Sequence, residues 1–168
     1  MDFRKVRLLI RLGRLHFLIP GLLLYTFGAL LAIANGAKTN PGLFIFGYAI
    51  LFFAHLSVHF SNDYYDREAD KNAKRTPVSG GSGVLVDHPE MAGLALNVAI
   101  LLLGLSVVTA IAFTFYYSFP LWFLFYAVFG GLLGWFYTAP PLKLAYRGLG
   151  EASTAIATGF IVPGRDTS

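Results

Sequence analysis

Long apolar runs, rather than alternating ones, set the pattern of this chain. The first covers residues 15–34 and is interrupted only by His16 and Pro20 near its start. The second covers 42–61, with His55, Ser57, His59 and Ser61 in its later half. A third covers 91–115 and a fourth, rich in Phe, Trp and Tyr, covers 119–138. Each reaches the roughly 20 residues that an α-helix needs to cross a bilayer. A fifth run starts near Leu149 but meets a polar Gly-Arg-Asp-Thr-Ser tail after Pro163, too short to cross comfortably. The pattern predicts an all-α, polytopic transmembrane bundle, with residues 1–168 as one membrane domain and a charged loop over 62–90. The first run is full length with no small-residue cleavage site after it, so no signal peptide is needed.

Composition agrees. The chain is 56% hydrophobic and 13% charged, about half the charge of an ordinary soluble domain. Disorder is excluded, and a soluble globular domain is disfavoured. With no Cys there is no disulfide frame, thiolate zinc site or thiol nucleophile. The net charge of +4 does not point to nucleic acid, because the charges sit at the ends of apolar runs. Eleven of the thirteen Lys and Arg fall on one side of the predicted spans. They are Arg4, Lys5, Arg7, Arg11 and Arg14, then Arg67, Lys71, Lys74 and Arg75, then Lys143 and Arg147. By the positive-inside rule that side is cytoplasmic. The expectation is a multi-pass protein of the cell membrane with its N-terminus and the 62–90 segment in the cytoplasm.

The acidic residues are more informative. Six of the nine lie between the second and third runs. The text there is Asn62-Asp63-Tyr64-Tyr65-Asp66-Arg67-Glu68-Ala69-Asp70. On a helix turning about 100° per residue, Asn62, Asp63, Asp66 and Asp70 share an arc of about 100°, with Glu68 nearly opposite. Three like charges so close repel unless a cation neutralises them. Hard oxygen ligands suit Mg²⁺, which keeps waters and takes phosphates as further ligands, so a magnesium-bridged diphosphate is the natural partner. Downstream, Lys71, Lys74 and Arg75 can clamp phosphate oxygens. The Ser79–Gly83 stretch can bring backbone N–H groups to an anion. A solvated helix cap would show the same residue types, but ionisable groups beside apolar membrane tend to be functional. His55 and His59, spaced i, i+4, are a candidate metal pair that more often serves helix–helix hydrogen bonding. His16 and His88 read as interfacial. In Gly134-Trp135-Phe136-Tyr137-Thr138-Ala139-Pro140-Pro141-Leu142-Lys143, the proline pair stops the fourth helix. Tyr137 is then left at the interface on the aspartate side, as a belt or site residue, and Arg147 reads as an orientation charge.

These stretches resemble the UbiA superfamily of intramembrane prenyltransferases. The likeness is carried by NDYYDREAD, by KRTPVSG after it, and by YTAPPLKLAYRGLGE after the fourth run, the last resembling the menaquinone branch. The resemblance implies transfer of a polyprenyl group from an allylic diphosphate to an aromatic acceptor such as 1,4-dihydroxy-2-naphthoate. It implies a bundle of about nine helices, of which this chain supplies the N-terminal half. Asn62, Asp63, Asp66 and Asp70 would form the first Mg²⁺ site, with Asp63, Asp66 and Asp70 catalytic. Asn62, Lys71, Arg75 and Tyr137 would contact the diphosphate. Haem O synthesis, 4-hydroxybenzoate prenylation, chlorophyll prenylation and archaeal ether-lipid synthesis share this first-motif chemistry. A second aspartate motif belongs beyond the fifth run, so the reading is of a truncated chain with an incomplete metal site. The rival is a non-catalytic membrane fragment or a divalent-cation-binding membrane protein.

Overall fold

The computed structural model describes residues 3–72 and 81–156, all helix, turn and loop with no strand among them. The chain opens with α1 (Phe3–Gly13), breaks at Arg14, and passes through a 3-10 turn (Leu15–Phe17) into α2 (Leu18–Ala34). Then come α3 (Pro41–Asp70), a short α4 (Val84–Asp87) and a 3-10 turn (Pro89–Met91). The rest is α5 (Ala92–Tyr116), α6 (Leu121–Trp135), a 3-10 turn (Leu144–Arg147) and α7 (Gly150–Ile156). Three stretches are long and apolar enough to cross a membrane: Phe3–Ala34, Pro41–Asp70 and Pro89–Tyr116.

The central element is α3, which packs against α1, α2, α4, α5 and α6. Asn40 caps its start by accepting the Leu43 N–H at 3.0 Å, and Pro41 follows in the first turn. At 1.5 Å per residue its 30 residues run about 45 Å, against about 30 Å of hydrocarbon. The bilayer-crossing part therefore ends near Ser61, and the aspartate-bearing last turns project beyond it. Residues 62–70, the first part of the charged 62–90 segment, are an unbroken extension of the helix, as the helical reading of the aspartate face requires.

Small residues let α5 lie close and antiparallel to α3. Ala95, Ala99 and Ala110 are buried, as membrane helix pairs require without a hydrophobic drive between them. Ser57 Oγ donates to the Ala99 carbonyl, and Ser106 Oγ donates to the Ile50 carbonyl, both at 2.8 Å. Each bond crosses in the opposite direction, so the pair is fixed at two levels. At the other end from the aspartates, Phe113 packs with Phe46, Phe119 and Phe123.

The fourth predicted span is shorter than its apolar run. Helix α6 has 15 residues, and the chain then tightens, with Tyr137 N–H bonding the Gly134 carbonyl at 3.2 Å. The proline pair that follows forbids continued helix. Of the predicted fifth span, only Gly150–Ile156 falls among the described residues.

Candidate functional site

The site is assembled around the projecting end of α3 by three other segments. Asp63 is the most enclosed of its carboxylates, 3% exposed. It accepts from Arg14 Nη2 at 2.9 Å, from the Ser82 backbone N–H at 3.1 Å, and from the Ser82 hydroxyl. Ser82 in turn accepts the Val84 N–H at 3.1 Å, tying the carboxylate to the start of α4. Arg14 is 17% exposed and lies over the Phe17 ring at 5.6 Å. It adopts a left-handed backbone (φ 41°, ψ 53°), costly for a residue with a Cβ. That kink directs the chain from α1 into α2 and lays the guanidinium on Asp63. Arg14 Nε and His59 Nε2 are buried without a partner.

The other acceptors look toward the segment after α6. Thr138 Oγ1 donates to Asn62 Oδ1 at 2.8 Å, and the Tyr146 hydroxyl donates to Asp66 Oδ1 at 2.6 Å. Burial raises the Asp66 carboxyl above its usual range; nearby Asp70 and Asp63 add to the rise, while Tyr146 and Arg14 oppose it. The Tyr146 phenol is pushed up to about 12, by burial first and then by its bond to Asp66, and remains a donor throughout the physiological range. Gly81 (φ +66°) faces Asp70 closely enough that an added Cβ would stand 2.9 Å from its Cγ, so this glycine lets the backbone reach the carboxylate.

The structure therefore unites Asn62, Asp63 and Asp66 with partners that sequence reasoning missed. Arg14 had been counted as an orientation charge. Tyr146 lies in the same stretch as Tyr137, and nothing in the text separates the two. Tyr137 is instead turned to the start of α7, its hydroxyl 3.2 Å from where a Gly150 Cβ would stand. Lys71 Nζ bonds Glu68 Oε2 at 2.7 Å on an exposed surface rather than reaching the aspartate cluster. Arg67 is committed to the Tyr64 carbonyl at 2.6 Å and to the Tyr64 ring. Arg147 Nη2 braces the Pro141 carbonyl at 3.0 Å. Arg75 and Lys74 lie outside the described residues. His55 and His59 stack at 4.9 Å. Among the described residues no three His, Asp or Glu side chains gather to hold a metal. The expected set of Asp63, Asp66 and Asp70 is thus not preassembled as one cage, because Asp63 is turned to Arg14 and Ser82.

The two stretches joined here are far apart in sequence, and the chain's text aligns with one family across both. The UbiA prenyltransferase family matches residues 22–164. The chain belongs to this family. Neither a curated protein nor a solved structure matches it. UbiA proteins transfer prenyl groups to aromatic acceptors, and together with its apolar helices membership makes this chain a multi-pass membrane protein of a prenyltransferase family.

Proposed function

We propose that this UbiA chain carries the diphosphate-binding site of a menaquinone-type prenyltransferase, which transfers a polyprenyl group to a dihydroxynaphthoate on the cytoplasmic side of the cell membrane. One observation carries the reading. The aspartate motif and the YTAPPLKLAYRGLGE stretch meet through Thr138–Asn62 and Tyr146–Asp66. The residues that bear the family likeness thus build one polar site at the end of a membrane helix.

The donor chemistry fits Mg²⁺ in a reduced form. Mg²⁺ is usually held by one or two carboxylates plus substrate phosphates and waters. Asp66 and Asp70, one turn apart, are the two carboxylates that would hold it, with Asn62 beside them. When bound, the ion would neutralise charge on the leaving diphosphate. Asp63 plays a different part in this reading: it anchors Arg14 and Ser82 around the site. Tyr146 and Thr138 orient the Asp66 and Asn62 oxygens by donating to them, which spares each acceptor a search among rotamers.

The test is prenyl transfer by this chain in nanodiscs, with a radiolabelled allylic diphosphate, Mg²⁺, and either a dihydroxynaphthoate or 4-hydroxybenzoate. Magnesium-dependent product with the naphthoate, lost in Asp66→Asn, supports the reading. Product with 4-hydroxybenzoate alone overturns the menaquinone assignment. Absence of product with every acceptor favours the non-catalytic alternative.

A further inference from the structure

Helix α1 is divided lengthwise into three strips. Leu8 and Leu12 are buried in a cluster with Phe60 of α3, Val84 and Leu85 of α4, and Met91 and Ala95. At 100° per residue, Phe3, Val6 and Ile10 form an apolar strip and, beside it, Arg4, Arg7 and Arg11 a basic one, while Leu9 packs against the buried cluster and Lys5 is exposed on the other side of the Leu8–Leu12 strip. Phe3 is 92% and Ile10 55% exposed. Arg7 and Arg11 are exposed and have no acidic partner among the described residues, whereas Arg4 reaches His88 Nδ1 at 3.5 Å.

Depth decides what such a surface meets. The burial partners of α1 stand where α3 leaves the hydrocarbon and where α5 enters it. Past the Arg14 kink and one 3-10 turn the chain enters the apolar α2. An exposed apolar strip at that level, flanked by unpaired arginines, has the chemistry of a helix lying in a bilayer interface that contains acidic lipid. A second protein would have to bring its own acids to Arg7 and Arg11, since among the described residues the neighbouring Glu90 is engaged by His88.

We propose that α1 is an acidic-phospholipid site. It lies along the leaflet next to the aspartates, with Phe3 and Ile10 in the acyl boundary and Arg7 and Arg11 on phosphate headgroups. The site does not depend on the prenyl-transfer reading. Because Arg14 follows α1 directly, headgroup binding also steadies the guanidinium on Asp63.

The chain has no cysteine, so single-cysteine variants can be labelled cleanly. An environment-sensitive dye is placed at Ile10→Cys, at Phe3→Cys as a second α1 position, and at Lys38→Cys in the exposed loop between α2 and α3. Each is reconstituted in nanodiscs of phosphatidylcholine with or without phosphatidylglycerol. The expected result is that both α1 dyes are quenched by shallow doxyl lipid and shielded from acrylamide, unlike the dye at 38. Spin-labelled phosphatidylglycerol should associate preferentially with the unlabelled protein. Arg7→Gln and Arg11→Gln should each cut that preference about fivefold, and high salt should weaken it. If the α1 dyes are as open to acrylamide as the dye at 38, the helix is in water and the proposal fails. If they resist both quenchers, protein covers the strip and the proposal fails. Lipid quenching with no loss of phosphatidylglycerol preference in the arginine variants overturns the headgroup assignment.

Discussion

Removing Arg14 tests the electrostatics of the site most directly. At 2.9 Å and an effective dielectric of about 20, its gross attraction to Asp63 is about 6 kcal/mol. Desolvation of both groups takes back most of that. Breaking such a pair on one side, however, leaves a buried charge uncompensated and typically costs about 3–5 kcal/mol. The Ser82 backbone N–H and hydroxyl would still face Asp63, which puts Arg14→Met at the low end, about 3 kcal/mol. For a chain of this size each kcal/mol moves Tm by about 2–4 °C, so a fall of about 6–12 °C is expected in detergent or nanodiscs. Asp63→Asn should cost less, about 1–2 kcal/mol, because Arg14 retains a route to water. The double variant should resemble Asp63→Asn alone, giving a coupling of about 3 kcal/mol. Arg14→Gly should be milder than Arg14→Met by about 1 kcal/mol, since glycine tolerates the left-handed backbone. Additivity of the two single variants to within about 0.5 kcal/mol would refute the reasoning, as would an Arg14→Gly variant less stable than Arg14→Met.

Two further outcomes follow. An alanine Cβ at Gly134 would stand 2.7 Å from Val58 Cγ2. Gly134→Ala should therefore push α6 off α3 and lower stability by about 1–3 kcal/mol, and Val58→Ala should restore most of it in thermal unfolding. Tyr146 gives a pH signature. Its folded-state pKa is raised from 10 to about 12, so the stabilisation from its hydroxyl is fully present below pH 10 and lost as pH rises through about 12. The tyrosinate absorbance difference between the parent and Tyr146→Phe should show the missing step near 12; a missing step near 10 would contradict the Asp66 contact.

What the sequence reveals about this molecule follows the range of the forces involved. The apolar runs and the Pro140-Pro141 stop were legible because they act within a few residues of themselves. The shared face of Asn62, Asp63, Asp66 and Asp70 was legible because helix geometry alone places it. The partners were not. Whether Arg14 serves topology or Asp63 depends on a backbone kink that no periodicity encodes. The choice of Tyr146 over Tyr137 depends on how the turn after α6 tightens. Lys71 stands next to the motif, yet Glu68, three residues earlier, claims it first. The short α6 was overestimated because hydropathy continues through Phe136 and Tyr137 after the helical hydrogen bonds have changed to a tighter turn.

The contacts of α3 also impose an order of assembly during synthesis. Asp63 can pair with Arg14 once α3 is made, and its hydrogen bonds are complete as soon as residue 82 has emerged. Asp66 must wait for Tyr146, by which time two more apolar segments have been delivered to the lipid. A ribosome stalled between those points leaves behind a helix hairpin whose Asp66 has not yet met Tyr146. Such an intermediate would present its half-made polar mouth to whatever insertase or quality-control protease attends the bilayer.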